Sequence, residues 1–341
     1  MRSTLKALLQ VRGMTLVEMM VAIGVTSVIM ILSISIFMSQ NKSYVRSKNV
    51  KEVQESGQMM VEILKRDLME AGWSVLPQMA FHFEDGGATG SDRIYVNDSS
   101  LIDLSVATNR ANMIGGDCAG GQRIVSGAGT SNVTIGRLDV NDDEGDGDSS
   151  GDPDFLAGVF QFVISDATTN SIAKINTITS GPQLGLDRNL SGTHVAPAVY
   201  YCVDNGDAQC RPTGSTEQRV LRRSDRTTGG RQPMMENVVD MQVAYRDRNG
   251  NWYGAAGCAG TGVGAGLCAM DPFDPRQVAI IRLTLVTRGA DSVEGRIYDP
   301  AYCRPAVENR TAAASGSAEC GYVYRTYSAM IQPRNSGPLY Q

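Results

Sequence analysis

The densest array of reactive side chains lies in residues 139–154, DVNDDEGDGDSSGDPD, where carboxylates at alternate positions could converge on a hard cation such as Ca²⁺. Asp142, Glu144, Asp146 and Gly147 follow the D-x-E-x-D-G opening of an EF-hand-like loop, with Asp148 beside them. The frame then fails: its twelfth position is Pro153, and Asp154 comes one place late. A solvated acidic loop has the same composition, so two readings stand, a Ca²⁺ site and a plain loop.

Other chemistry has less material. There are two histidines, His82 and His194, and neither sits in an HExxH frame. Ser224, Asp225 and His194 supply the residue types of a hydrolytic triad without a nucleophile-elbow pattern. The glycine-rich run Gly254–Gly266 lacks the Gly-Lys-Ser/Thr that a phosphate cradle requires. The sequence therefore argues against an enzyme and for no resident cofactor other than Ca²⁺ at the acidic loop. A net charge of −5 also gives no electrostatic footprint for nucleic acid.

Seven cysteines all follow the first hundred residues, which suits an oxidising compartment. They cluster as Cys202 with Cys210, Cys258 with Cys268, and Cys303 with Cys320. Three short loops closed by disulfides would each gain about 2–4 kcal/mol. Cys118 is left over, either as a buried thiol or as an intersubunit bridge.

The elements that carry these groups begin with an anchor. Residues 1–13 hold Arg2, Lys6 and Arg12 and no acid, and Met19 to Asn41 is free of charge. As a helix that uncharged run extends roughly 34 Å, enough for a hydrocarbon core of about 30 Å. Basic residues before it place the N-terminus in the cytoplasm and the cysteine-bearing remainder outside. A cleaved secretory signal would be shorter and would end at a small-residue site. Glu18 is anomalous, because an acid at the edge of such a segment costs several kcal/mol unless partnered. It is either a stray interfacial acid or a group with a specific partner.

The string Arg12-Gly13-Met14-Thr15-Leu16-Val17-Glu18 resembles the type IV prepilin signal. The resemblance implies cleavage by prepilin peptidase between Gly13 and Met14 and methylation of the new amine on Met14. It also implies that Glu18, one helical turn away, meets that amine or a neighbouring subunit's and sets register in an assembly.

Beyond the anchor, Val50, Val53, Met60, Leu64, Leu68 and Ala71 recur on one helical face with Gly57 in the same stripe, and Gly72 reads as the stop. Met14 to Ala71 would form one helix of roughly 87 Å. The strings Gln54-Glu55-Ser56-Gly57-Gln58, Leu64-Lys65-Arg66-Asp67-Leu68 and Ala71-Gly72-Trp73 resemble the PilW family of minor pilins. After Trp73 short apolar runs broken by Gly, Asp and Asn predict β-structure. The best strands are Val238–Arg246 and Val278–Arg288, each alternating so that one face meets a core and Asp240, Gln242 and Ala244 face away. Residues 80–195 match little.

The resulting expectation is an α+β, type IV pilin-like chain: leader 1–13, membrane or filament-core helix 14–41, amphipathic helix 42–72, and a β-rich head 73–341. The helix would pack on an antiparallel β-sheet with disulfide-closed loops. The resemblance implies a structural minor pilin of the bacterial inner membrane and then the pilus, priming or capping assembly. Its partners would be other minor pilins, the major pilin, a tip-associated protein, prepilin peptidase, the inner-membrane assembly platform and, before assembly, membrane lipid. A minor pseudopilin of a type II secretion system and an adhesin-like binding module are the alternatives.

Overall fold

The computed structural model describes residues 15–73, 75–86, 90–97, 122–136, 155, 161–179, 183–205, 209–212, 219–224, 231–254, 270, 272–289, 292, 297–308 and 310–335. Helix α1 spans Leu16–Glu70, and the chain forms two compact units, Met1–Lys51 and Glu52–Gln341.

In the first unit, Leu16–Asn41 is long and apolar enough to cross a membrane, and none of these residues is buried. Ser27 and Ser33 lie within it, and each hydroxyl donates to the carbonyl one turn back, Ile23 O at 2.7 Å and Ile29 O at 2.8 Å. Each bond pairs that hydroxyl's own proton in a stretch suited to lipid.

In the second unit Met60, Val61, Leu64 and Leu68 form the buried face of α1 and Ala71 is buried just beyond its end; all but Val61 are positions the periodicity predicts, whereas the predicted Val53 is half-buried. Gly57 belongs to this face because a side chain there has no room: an added Cβ would lie 2.4 Å from Cε2 of Tyr327. Tyr327 Oη donates to Val53 O at 3.3 Å, so its ring lies across the helix at the glycine. α1 stops where expected. Gly72 takes φ +86°, and its N–H donates to Asn97 Oδ1 at 2.7 Å.

Ten strands form the larger sheet: β1 (Phe81–Glu84), β2 (Arg93–Asn97), β3 (Gln122–Ser126), β4 (Thr130–Ile135), β5 (Phe162–Ser165), β6 (Ile172–Thr179), β7 (Gln183–Leu190), β8 (His194–Asp204), β9 (Val220–Ser224) and β10 (Gln232–Met235). Every pairing is antiparallel. The order β8-β3-β4-β7-β6-β5 returns to β8, because β5 pairs with both β6 and β8. These six strands close a ring, a small barrel, and one buried cluster draws Ile124, Val133, Val163, Ile175, Leu184 and Val195 from all six.

β8 belongs to two structures at once. Its first residues pair with β3 and β5 in the ring, and its later residues pair with β2 and β9 in the open sheet. Sharing explains why it is buried along nearly its whole length.

Strands β11 (Val238–Asp247), β12 (Trp252–Gly254), β13 (Val278–Arg288) and β14 (Tyr324–Ile331) form a second antiparallel sheet in the order β12-β11-β13-β14. The buried face of α1 shares a core with this sheet and with β1, β2, β8 and β9. The two strongest predicted strands are β11 and β13.

Two expectations need correction. The head is not a simple sheet laid on the helix, since residues in 80–195 build most of a closed ring. The outer face of β11 is not solvated either. Asp240, Gln242 and Ala244 are buried, because the outer face of this sheet carries a second small core that includes Val239, Val286 and Val307, the last from a strap over residues 297–322.

Candidate functional site

The N-terminus of α1 carries a reciprocal cap. Thr15 N donates to Glu18 Oε2 at 2.9 Å, Thr15 Oγ1 lies 3.1 Å from the same oxygen, and Glu18 N donates to Thr15 Oγ1 at 3.2 Å. This T-x-x-E arrangement is a capping box, which satisfies backbone donors that a helix start leaves unpaired. Glu18 thus has a partner within its own first turn, and the T-x-x-E spacing was the signal that could have foretold it. A carboxylate accepts at several lone pairs, so the cap leaves capacity for an ammonium group. Gly13 and Met14, the residues of the expected cleavage, lie outside the described residues.

Two of the three expected disulfides are formed, Cys202–Cys210 with Cα atoms 5.7 Å apart and Cys303–Cys320 at 3.9 Å. Cys258, Cys268 and Cys118 lie outside the described residues, as do Asp142, Glu144, Asp146 and Asp148. Among the described residues no group of three or more His, Cys, Asp or Glu could hold a metal ion.

Ser224 and His194 do not come together, and Asp225 lies outside the described residues. Ser224 pairs with Tyr200 on β8, six residues from His194 along the same strand, which is about 20 Å at strand rise. His194 instead lies 3.6 Å from Asp166 Oδ2 and 2.9 Å from Thr193 Oγ1, in a turn that Asp166 organises. The other histidine, His82, faces Ser171 Oγ at 3.4 Å and the edge of Phe273. Desolvation lowers its pKa to about 4, so this half-buried ring is neutral at neutral pH.

The head holds an extensive buried charge network under the strap. Asp240 is fully buried; Arg310 Nη1 lies 2.9 Å from its Oδ1 and Arg304 Nη1 3.8 Å from its Oδ2. Glu319 bridges the same two arginines at 3.1 and 3.5 Å, and Glu308 accepts from Arg282 at 2.6 and 2.7 Å. The strap is therefore pinned to β11 and β13 by charge and closed on itself by Cys303–Cys320. Burial raises the pKa of Asp240 even against the field of Arg310.

The turn before β2 welds the two sheets. Asp92 N donates to Met241 O at 2.8 Å, Val243 N donates to Asp92 Oδ2 at 2.7 Å, and Ser91 Oγ donates to Asp240 Oδ1 at 3.0 Å. Gly90–Asp92 thus takes the edge of β11 along 240–243, just before β12 pairs with 244–246. A second ionic joint ties the ring to the open sheet: Glu84 on β1 accepts from Arg188 on β7 at 3.0 Å, Arg93 on β2 at 3.1 Å and Tyr95 at 2.7 Å.

At the C-terminal end of α1 lies a cleft of about 610 Å³ bounded by the helix, β2, β8, β9 and the residues after β14. Asp67 accepts a hydrogen bond from the Tyr201 phenol, whose oxygen accepts from Arg223 Nε at 3.0 Å. Burial and the neighbouring Asp67 charge raise the Tyr201 pKa, so the phenol stays protonated and donates. Arg66, Asp67 and Trp73, from the two strings that carry the family resemblance, supply one wall of this cleft.

No family model matches the chain, and no curated protein matches it. Among solved structures it is similar to a type IV-like pilin from Thermus thermophilus at 14% identity, covering 52% of this chain and 86% of that one with a TM-score of 0.25, a likeness too loose to establish a shared fold.

Proposed function

We propose that the chain is a membrane-anchored structural subunit of the minor pilin class, PilW-like, whose work is association and not catalysis. One observation carries the reading: a single helix, α1, is apolar and exposed on every face over Leu16–Asn41 yet forms core of the folded head from Met60 onward. A plain anchor needs no such continuation. A subunit that stacks by its helix while presenting a head does, since the apolar half can exchange lipid for neighbouring apolar helices without refolding.

In this reading prepilin peptidase cuts between Gly13 and Met14, Glu18 helps set the register of the helix among other pilin helices, and the head meets other minor pilins. Deleting the gene is expected to reduce surface pili while leaving the amount of major subunit nearly unchanged, as counted by electron microscopy and immunoblot. Normal piliation would refute the pilus assignment, and normal piliation with failed protein secretion would transfer the chain to the type II secretion pseudopilins.

A further inference from the structure

The cleft at the end of α1 is lined by Arg66, Asp67, Trp73, Val199, Arg223 and Arg334, with Glu70 beside them. Its volume lies within the range of ligand-binding clefts, about 300–1,000 Å³. We propose that it docks an acidic peptide segment of a partner protein, whose carboxylate meets the guanidinium groups of Arg66 and Arg334 and whose apolar neighbour packs on Trp73 and Val199.

The charge of the cleft favours an anionic occupant. Three arginines face two carboxylates in the lining, on a chain whose net charge is −5. Asp67 is already engaged by Tyr201. The helix C-terminus, which would otherwise attract cations, is served by other groups: Arg334 N donates to Met69 O at 3.2 Å and Asn335 Nδ2 to Glu70 O at 3.1 Å. Arg66 and Arg334 are exposed; Arg66 Nε lies 3.9 Å from Asp67 Oδ1, a long ion pair on a side chain that is 70% exposed and so still reachable by an incoming anion, and guanidinium suits a carboxylate.

The cleft is also preorganised. Trp73 is 48% exposed, yet its backbone is held on both sides. Its N–H donates to Glu70 O at 3.1 Å, and buried Asn97 receives the Gly72 N–H while its Nδ2 donates to Trp73 O at 3.3 Å. An exposed indole on a fixed backbone loses little freedom when it is covered, which is the property of an interface anchor.

The inference stands apart from the pilus reading, because the test needs only the full chain in the cells that make it. p-Benzoylphenylalanine is placed at Trp73 in one strain and at Glu70 in another, and the products of irradiation are mapped by mass spectrometry. The expected product is a cross-link to a polypeptide segment bearing Asp or Glu. Its yield should fall about tenfold in the Arg66→Glu/Arg334→Glu background and stay within about threefold in Arg66→Lys/Arg334→Lys. Both arginines are exposed, so neither pair should change the thermal melt. Cross-links to lipid, to a small molecule or to a segment without acids, a yield indifferent to charge reversal, or no cross-link from either position would overturn the proposal.

Discussion

Replacing Arg310 by alanine should destabilise the head by about 3–5 kcal/mol, because it leaves the carboxylate of Asp240 buried with a single, more distant cation. Asp240 has no exposed surface; its closest cation is Arg310 at 2.9 Å, against 3.8 Å for Arg304. Ser91 Oγ and Gln242 Nε2 donate to Oδ1 at 3.0 and 2.9 Å but are neutral, and Oδ2 has no hydrogen-bond donor among the described residues, so no other cation offsets the loss. The sign of the pH dependence follows. Burial places the folded-state pKa of Asp240 above its unfolded value, so the penalty for burying it as an anion is absent at low pH and grows as pH rises past the usual carboxylate range. The deficit of Arg310→Ala is therefore largest at neutral pH and shrinks on acidification. Urea titration of the detergent-solubilised chain, followed by the fluorescence of Trp73 and Trp252, reads it. A loss below about 1 kcal/mol at pH 7 would mean that the network is not what holds the strap.

Gly57→Leu should cost about 1–3 kcal/mol by overpacking, although leucine is the better helix former by nearly 1 kcal/mol. The reason is local. The Tyr327 ring occupies the space of any side chain at 57, and its hydroxyl is tied to Val53 O one turn earlier on α1. Adding Tyr327→Ala to the same chain should recover part of the loss, since the two residues compete for one volume. The same urea titration measures the cycle. Strict additivity of the two single losses would show that Gly57 is not there to seat Tyr327.

Much of this molecule is legible in its sequence wherever one residue's neighbours are close in the chain. The stripe Met60, Leu64, Leu68, the stop at Gly72, strands β11 and β13, and the pairs Cys202–Cys210 and Cys303–Cys320 all follow from local periodicity or short spacing. The capping partner of Glu18 is equally local, three residues away, and stands beside the amine, the chain's own or a neighbouring subunit's, that the prepilin-like string implies.

What escaped the sequence depends on distant pairing. The N–H of Val243 reaches Asp92 across 151 residues, and no pattern at either position announces the other. Period-two alternation gives each strand a face without saying that β5 returns to β8 and closes a ring. The polar positions Asp240 and Gln242 look solvent-facing for the same reason, because the strap that buries them arrives some sixty residues later. The cleft lay hidden in the Arg66–Trp73 strings, whose chemistry becomes visible only when β2, β8 and β9 are set beside them.

The central claim is that this is a pilin-type subunit processed at its leader and stacked by the helix that remains, and mass spectrometry of the mature N-terminus tests it most directly. In a chain isolated from membranes of cells with active prepilin peptidase, the first residue should be Met14 with a methylated amine, followed by the intact apolar helix. A mature chain that keeps residues 1–13, or that begins beyond Asn41, would contradict the account.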